Sequence, residues 1–160
     1  KILPIKEDAE LNPINPYGIT KYVQEKEIEY SGMNFISLRY FNVSGNDDKN
    51  RTGEMHNPET HLIPNVVNAG LNNKSVTIYG NDFETFDGTA IRDYIHVWDI
   101  CDAHLKSLEI LLNRNDNAVQ EYVNLGSNTG YSNLQIVSKV SEIMGKKIEI
   151  PLNTNMEMVM

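Results

Sequence analysis

The sequence has few cysteines and few basic residues, and both shortages exclude classes of protein. Cys101 is the only cysteine, so no internal disulfide can form, and we expect a reducing, cytoplasmic location. Acidic residues outnumber basic ones by 22 to 14, and the lysines and arginines form no cluster. Because a nucleic-acid-binding protein usually carries a basic face, we expect no nucleic-acid partner.

Long hydrophobic runs are also missing, and no signal-peptide pattern is present, so the sequence predicts no membrane partner. With 160 residues, of which 40% are apolar, the chain can bury the core of one globular domain. It opens without a methionine and stops shortly after the strand-like "KKIEI". We therefore expect a piece of a longer protein.

Apolar periodicity and turn residues predict strands that alternate with helices. Helices are predicted at 16–30, 61–71, 98–112 and 133–144, and strands at 33–41, 76–80, 93–97, 121–126 and 146–150. Long polar loops occupy 42–60 and 81–92, and loops of this length are more often functional than idle. The alternation predicts an α/β fold with a mostly parallel sheet.

The stretch "NPYGITK" places Tyr17 four residues before Lys21 at the opening of the first predicted helix. Residues at this spacing share a helix face, and a lysine ammonium beside a phenol favours ionisation of the phenol. Such a tyrosine can act as general base and acid on an alcohol. The same spacing also occurs by chance, so two unrelated surface residues remain an alternative.

The segment "RDYIHV" offers a candidate anion site. Arg92 and Tyr94 alternate along an extended stretch and so face one side, and a guanidinium fork suits a phosphate. The alternative is that Arg92 pairs with Asp87 or Asp93. Asn42 follows the first predicted strand, at the end where open α/β sheets bind ligands, although it could merely turn the chain.

The four histidines, His56, His61, His96 and His104, have no convincing partners at metal-ligand spacing. His56 and His61 share a loop, but no set of Cys, His and Asp completes a site. The sequence therefore predicts no metal.

Five motifs in one order carry a family resemblance: "NPYGITK", "SLRYFNVSG", "PETHLIP", "TIYGNDFETFDGTAIRDYIHVWDICDAH" and "NLGSNTGYS". Together they closely resemble the NAD-dependent UDP-glucose 4-epimerases of the extended short-chain dehydrogenase/reductase superfamily, from about residue 3 to residue 150. The resemblance implies part of a Rossmann-like doubly wound parallel sheet plus the smaller substrate-binding region. Residues 1–45 would end the NAD-binding domain, and 46–160 would be mostly UDP-sugar-binding region with interleaved Rossmann elements.

The resemblance also implies roles for individual residues. Tyr17 matches the catalytic tyrosine that exchanges a proton with the sugar 4-hydroxyl while NAD takes and returns a hydride. Lys21 matches its lysine partner, which also contacts the nicotinamide ribose, and Tyr40 falls at the nicotinamide side of NAD. The positions that match the UDP-sugar site are Asn42, His61, Leu62, Thr77, Tyr79, Arg92 and Tyr94. His61 stands where many members carry asparagine.

The sequence departs from the family pattern in what precedes Tyr17. It contains no Gly-x-x-Gly-x-x-Gly turn for the NAD pyrophosphate, and residues 1–16 include neither serine nor threonine to bind the reacting hydroxyl. We therefore expect a carboxyl-terminal portion that is inactive alone, from a parent that forms a homodimer. A sister 4,6-dehydratase or decarboxylase, or a non-catalytic nucleotide-sugar-binding fragment, remains as an alternative.

Overall fold

The computed structural model describes residues 3–113 and 118–151, which form an α/β fold with parallel strands. In chain order the elements are α1 (Pro16–Tyr30), β1 (Phe35–Tyr40), β2 (Asn42–Ser44), α2 (Leu62–Asn72), β3 (Ile91–His96), α3 (Val97–Asn113), β4 (Gln120–Leu125), β5 (Gly130–Ser132) and α4 (Asn133–Met144). The α/β class predicted from the alternation is confirmed. No helix in these ranges has both the length and the apolar character to cross a bilayer.

The strands form two small sheets that meet at Phe41. In one sheet β1 runs parallel to β4; in the other β3 lies between β2, which is parallel to it, and β5, which is antiparallel. The Phe41 backbone N–H donates to Leu125 O at 3.0 Å, and β2 begins at the next residue. Because the chain passes from β1 to β2 at Phe41, the carboxyl end of β1 lies beside β3, and Asn42 is directly opposite Tyr94.

Local signals set the helix ends, as the sequence predicts. Asn15 caps α1, since its side-chain oxygen accepts from Gly18 N at 2.7 Å. Ser132 and Gln135 form a reciprocal capping box at the start of α4. Gly145 then ends α4 with a φ of 61°, a left-handed conformation that favours glycine.

Two predicted strands, 76–80 and 146–150, are wrong. Val76 N donates to Glu149 O at 3.0 Å, but no strand ladder forms between these described residues. Their apolar pattern reflects burial, because Val76 and Ile148 join Val66, Ala69 and Val137 in the core between α2 and α4. Conversely, the sequence missed β2 and β5, which are too short for a period-two pattern.

Candidate active site

A cavity of about 840 Å³ opens where β1 ends, β2 runs beside β3, and α2 begins. Most of the predicted site residues line it: Tyr17, Tyr40, Asn42, His61, Leu62, Arg92 and Tyr94. These residues come from separate parts of the chain. The pairing of β2 with β3 and the step at Phe41 bring them together.

Tyr17 and Lys21 are in contact on the first turns of α1. Lys21 Nζ lies 5.5 Å from the centroid of the Tyr17 ring and 3.4 Å from Gln24 Oε1. Tyr17 borders the cavity and is 72% exposed, whereas Lys21 approaches its ring from outside the cavity lining. The helical spacing thus places the Lys21 ammonium beside the Tyr17 ring at the edge of the cavity.

An ion pair between Arg39 and Glu25 holds α1, the helix that carries Tyr17 and Lys21, against β1. No residue of α1 is buried, so packing alone holds it weakly. Arg39 on β1 instead grips the Glu25 carboxylate through two hydrogen bonds of 2.8 and 2.7 Å, and Ser37 Oγ donates to the same carboxylate at 3.0 Å. The Arg39 guanidinium holds the pKa of Glu25 below its usual range.

Among residues 3–113 and 118–151, Arg92 has no carboxylate partner, which contradicts the expected pairing with Asp87 or Asp93. Asp87 accepts from Ser132 Oγ and from Thr89 N at 2.9 Å, and the Ser132 hydroxyl is the main cause of its lowered pKa. Asp93 accepts from Ser127 N at 2.8 Å and from Asn128 N at 2.9 Å.

Arg92 itself donates only to the neighbouring Ile91 carbonyl, at 3.1 Å, among the described residues. Its other guanidinium donors are therefore available to an anion in the cavity.

Asn42 and Tyr94 form the wall between β2 and β3. Asn42 Nδ2 donates to Asp93 O at 3.0 Å, so Asn42 ties the two strands together rather than merely turning the chain. Tyr94 is partly buried. Burial raises its pKa, and the positive charge of Arg92 opposes that effect. At neutral pH Tyr94 therefore offers a hydroxyl donor at the cavity.

Thr77 and Tyr79 do not line this cavity, and Tyr79 is 70% exposed. Sequence reasoning also missed lining residues, including Phe41, Ser44 and Asn133. Asn133 reaches the cavity because β5 pairs with β3, although α3 and β4 lie between these strands in the chain, and no local pattern encodes that pairing. For Phe41 and Ser44 the only indication in the sequence was their position within two residues of Asn42, which was a predicted site residue.

Four further side chains gather at the cavity edge, although the sequence predicted no metal. Glu54, His56, Glu59 and His61 offer ligand atoms that all lie within 4.8 Å of one another. Glu54 and His61 also line a second cavity of about 510 Å³ on the other side. The sequence prediction considered only Cys, His and Asp as metal ligands beside these histidines, whereas in the fold the neighbouring ligands are the two glutamates.

Comparison with known proteins gives consistent matches. The NAD dependent epimerase/dehydratase family matches residues 1–144. A UDP-glucose 4-epimerase of Lactobacillus helveticus is 44% identical over 156 residues, which cover 94% of this chain and 46% of the relative.

Two solved structures also resemble the fold. A UDP-glucose 4-epimerase from Brucella ovis in complex with NAD has a TM-score of 0.84 at 41% identity, over 94% of this chain and 47% of that one. One from Bifidobacterium longum in complex with NAD+ and UDP has a TM-score of 0.85 at 31% identity, over 94% and 46%.

The chain spans about half the length of the curated relatives that it matches. The family match nevertheless covers far more than half of the chain itself, and it includes Tyr17, Lys21 and Arg92. The chain therefore belongs to the NAD dependent epimerase/dehydratase family.

Proposed function

We propose that the protein to which this chain belongs is a UDP-glucose 4-epimerase, which interconverts UDP-galactose and UDP-glucose by transient oxidation at sugar carbon 4. The observation that carries the proposal is one cavity bordered by Tyr17, which Lys21 contacts, and by Arg92, which pairs with no carboxylate in the described part of the chain. The first group suits proton transfer and the second suits a diphosphate. Similarity to proteins named UDP-glucose 4-epimerases supports the same reaction.

Tyr17 is the proposed proton-transfer group. Its phenolate oxygen takes the proton of the sugar 4-hydroxyl as carbon 4 becomes a ketone. The same oxygen returns a proton to O4 when carbon 4 is reduced. The Lys21 ammonium lies 5.5 Å from the Tyr17 ring centroid and is the cation next to this proposed proton-transfer group.

Arg92 is the proposed anchor of the diphosphate. Inversion at carbon 4 requires the sugar to turn about its bond to UDP and present its opposite face, while the nucleotide stays bound. A guanidinium on β3 can hold the diphosphate during this turn, with the Tyr94 hydroxyl beside it. Asn42, His61 and Leu62 border the same space and would contact the nucleotide sugar.

NAD is the proposed cofactor, and it would supply the hydride acceptor and donor for carbon 4. The residues present fit its nicotinamide end, because Tyr17 and Tyr40 border the cavity and Lys21 contacts Tyr17. The sequence holds no glycine-rich turn for its pyrophosphate. We accordingly assign residues 1–45 to the end of an NAD-binding domain and 46–160 mostly to the UDP-sugar region. The family resemblance places Thr77 and Tyr79 beside the uracil of the UDP-sugar, and these two contacts remain predictions.

Assembly and location follow as further parts of the proposal. None of the residues of α1 is buried, and Ile19, Val23 and Tyr30 on it are exposed apolar side chains. Such a helix can pair with a second copy, which supports a homodimer formed through α1. A lone cysteine, which cannot form an internal disulfide, supports a cytoplasmic location, and the proposed reaction places the enzyme in galactose metabolism.

The test is conversion of UDP-galactose to UDP-glucose by the full-length parent with NAD present. Wild type should convert the substrate, and Tyr17→Phe should abolish most of kcat. Tyr30→Phe is the matched control, because Tyr30 lies on the same helix, is 87% exposed and does not border the cavity. It should retain wild-type activity.

Other outcomes would redirect the assignment. A folded, NAD-loaded parent that leaves UDP-galactose unchanged would contradict the proposal. UDP-glucuronate and dTDP-glucose would then test the decarboxylase and dehydratase alternatives. Binding of UDP without turnover of any of these sugars would favour a non-catalytic nucleotide-sugar-binding protein.

A further inference from the structure

We propose that Glu54, His56, Glu59 and His61 bind a zinc ion. The four residues lie in the segment between β2 and α2, where Glu54 and His61 line both cavities and His56 lines the second. All four candidate ligand atoms lie within 4.8 Å of one another. This inference does not depend on the proposed epimerase activity.

The separations suit a tetrahedral site. Zinc bonds to nitrogen and oxygen of about 2.0–2.1 Å place neighbouring ligand atoms about 3.3–3.4 Å apart. His56 Nδ1 lies 3.0 Å from Glu54 Oε1 and 3.7 Å from Glu59 Oε1. His61 Nδ1 contacts the same Glu54 oxygen. Small side-chain rotations would thus place all four atoms at bonding distance from one ion.

The charge of the cluster also favours a cation. The ion-pair partners of Glu54 and Glu59, within the described ranges, are His56 and His61. A metal-bound imidazole is neutral, so a divalent ion held by this set would neutralise the two carboxylates. Two imidazole nitrogens favour zinc over magnesium or calcium, which prefer sites made of oxygen.

The backbone already orients part of this ligand set. Glu59 Oε1 accepts the N–H groups of Thr60 and His61, each at 2.8 Å. Such outer contacts orient metal ligands before the ion binds. His61 occupies the N-cap position of α2 but makes no side-chain capping hydrogen bond, and its ring turns to Glu54 instead.

An ion at this place would clamp the loop before α2 and fix the wall of the candidate active site. Glu54 and His61 border both cavities, whereas His56 borders only the second. The role that fits these positions is structural. Glu59 lines neither cavity, but it accepts the backbone N–H groups of Thr60 and His61, which line the first. His56 makes no such contact, so its removal should disturb the first cavity least.

The experiment titrates metal-free protein with Zn²⁺ in competition with a chromophoric chelator. We expect one bound ion per chain. His56→Ala should weaken binding by at least about tenfold, the loss seen when even an indirect partner of a metal ligand is removed. His104→Ala removes an imidazole of α3 whose Nδ1 contacts Ile100 O, and it should bind zinc like wild type. Bound Co²⁺ should give the intense visible absorption of a four-coordinate site, and His56→Ala should lose it.

The proposal is overturned if wild type binds no zinc, or if His56→Ala binds it as tightly as His104→Ala. Loss of binding in Cys101→Ser with retention in His56→Ala would place the ion elsewhere and also overturn it. Circular dichroism checks that each variant is folded. If His56→Ala fails that check, the near-isosteric Glu54→Gln takes its place with the same expected loss.

Discussion

Arg39 and Glu25 are joined by two parallel hydrogen bonds, Nε to Oε1 at 2.8 Å and Nη2 to Oε2 at 2.7 Å. The pair links β1 to α1, and Arg39 also lies over the Tyr122 ring at 4.4 Å. Because α1 buries no residue, this contact largely decides where Tyr17 and Lys21 sit. A salt bridge one helical turn after Lys21 thus helps to position the candidate catalytic pair.

We predict that Arg39→Met lowers the free energy of unfolding by about 2 kcal/mol, since it leaves a half-buried carboxylate without its charged donor. Urea denaturation would measure the change. The control is Lys139→Met, which removes an exposed pair with Glu142 and should cost less than about 0.5 kcal/mol. Equal effects of the two changes would show that the Arg39 pair has no special role.

Acid should destabilise the fold through Asp47. The Arg51 guanidinium lowers the pKa of Asp47 from 3.8 to about 2, and the Arg51 backbone N–H adds to this effect. As pH falls, the unfolded carboxyl therefore binds its proton first. The stabilisation is complete above about pH 5 and is lost as pH falls towards about 2. Glu25, whose pKa is also lowered, acts in the same direction.

Urea unfolding at a series of pH values would check this sign. Asp47→Asn should flatten the curve below about pH 5, because the amide does not titrate. If wild type and Asp47→Asn lose stability in parallel over this range, Asp47 does not contribute.

Arg92→Gln should weaken UDP binding by about ten- to a hundredfold, the equivalent of about 1.5–3 kcal/mol for a lost charged hydrogen bond. Isothermal titration with UDP would measure the affinity. Lys139→Gln removes a positive charge from the exposed face of α4 and controls for net charge. A similar small loss in both variants would mean that Arg92 does not contact the diphosphate.

Gly45→Ala should destabilise the protein more than Gly32→Ala. Both glycines have positive φ, 90° and 71°, so each change costs about 1 kcal/mol in backbone strain. At Gly45 the added Cβ would also lie 2.3 Å from the His96 ring, whereas at Gly32 it would meet no atom within 4 Å. Thermal or urea unfolding of the two variants separates the clash from the strain, and equal losses would rule out the clash.

The 160-residue chain alone should not convert UDP-galactose, even with NAD supplied. The reason is that its sequence holds no glycine-rich turn to cradle the NAD pyrophosphate. A coupled assay for UDP-glucose would measure this. Robust turnover by the chain alone would contradict the prediction.

Local chemistry explains which predictions from sequence succeeded. The Asn15 cap, the Pro16 start and the Ser132–Gln135 box act within a few residues, so helix ends could be read from the sequence. The contact between Tyr17 and Lys21 follows from helical spacing alone. The strands at 76–80 and 146–150 were wrong because an apolar pattern reports burial and says nothing about a pairing partner.

The sequence by itself therefore determined the α/β class, the helix ends and the motif residues from Tyr17 to Arg92. Only the tertiary structure decided that Arg92 pairs with no carboxylate of the residues described, that Asn42 bonds to β3, and that two glutamates lie beside His56 and His61. These partners are determined by hydrogen bonds between segments that lie far apart in the sequence. They depend on strand pairing and loop closure, which nearest-neighbour patterns do not encode.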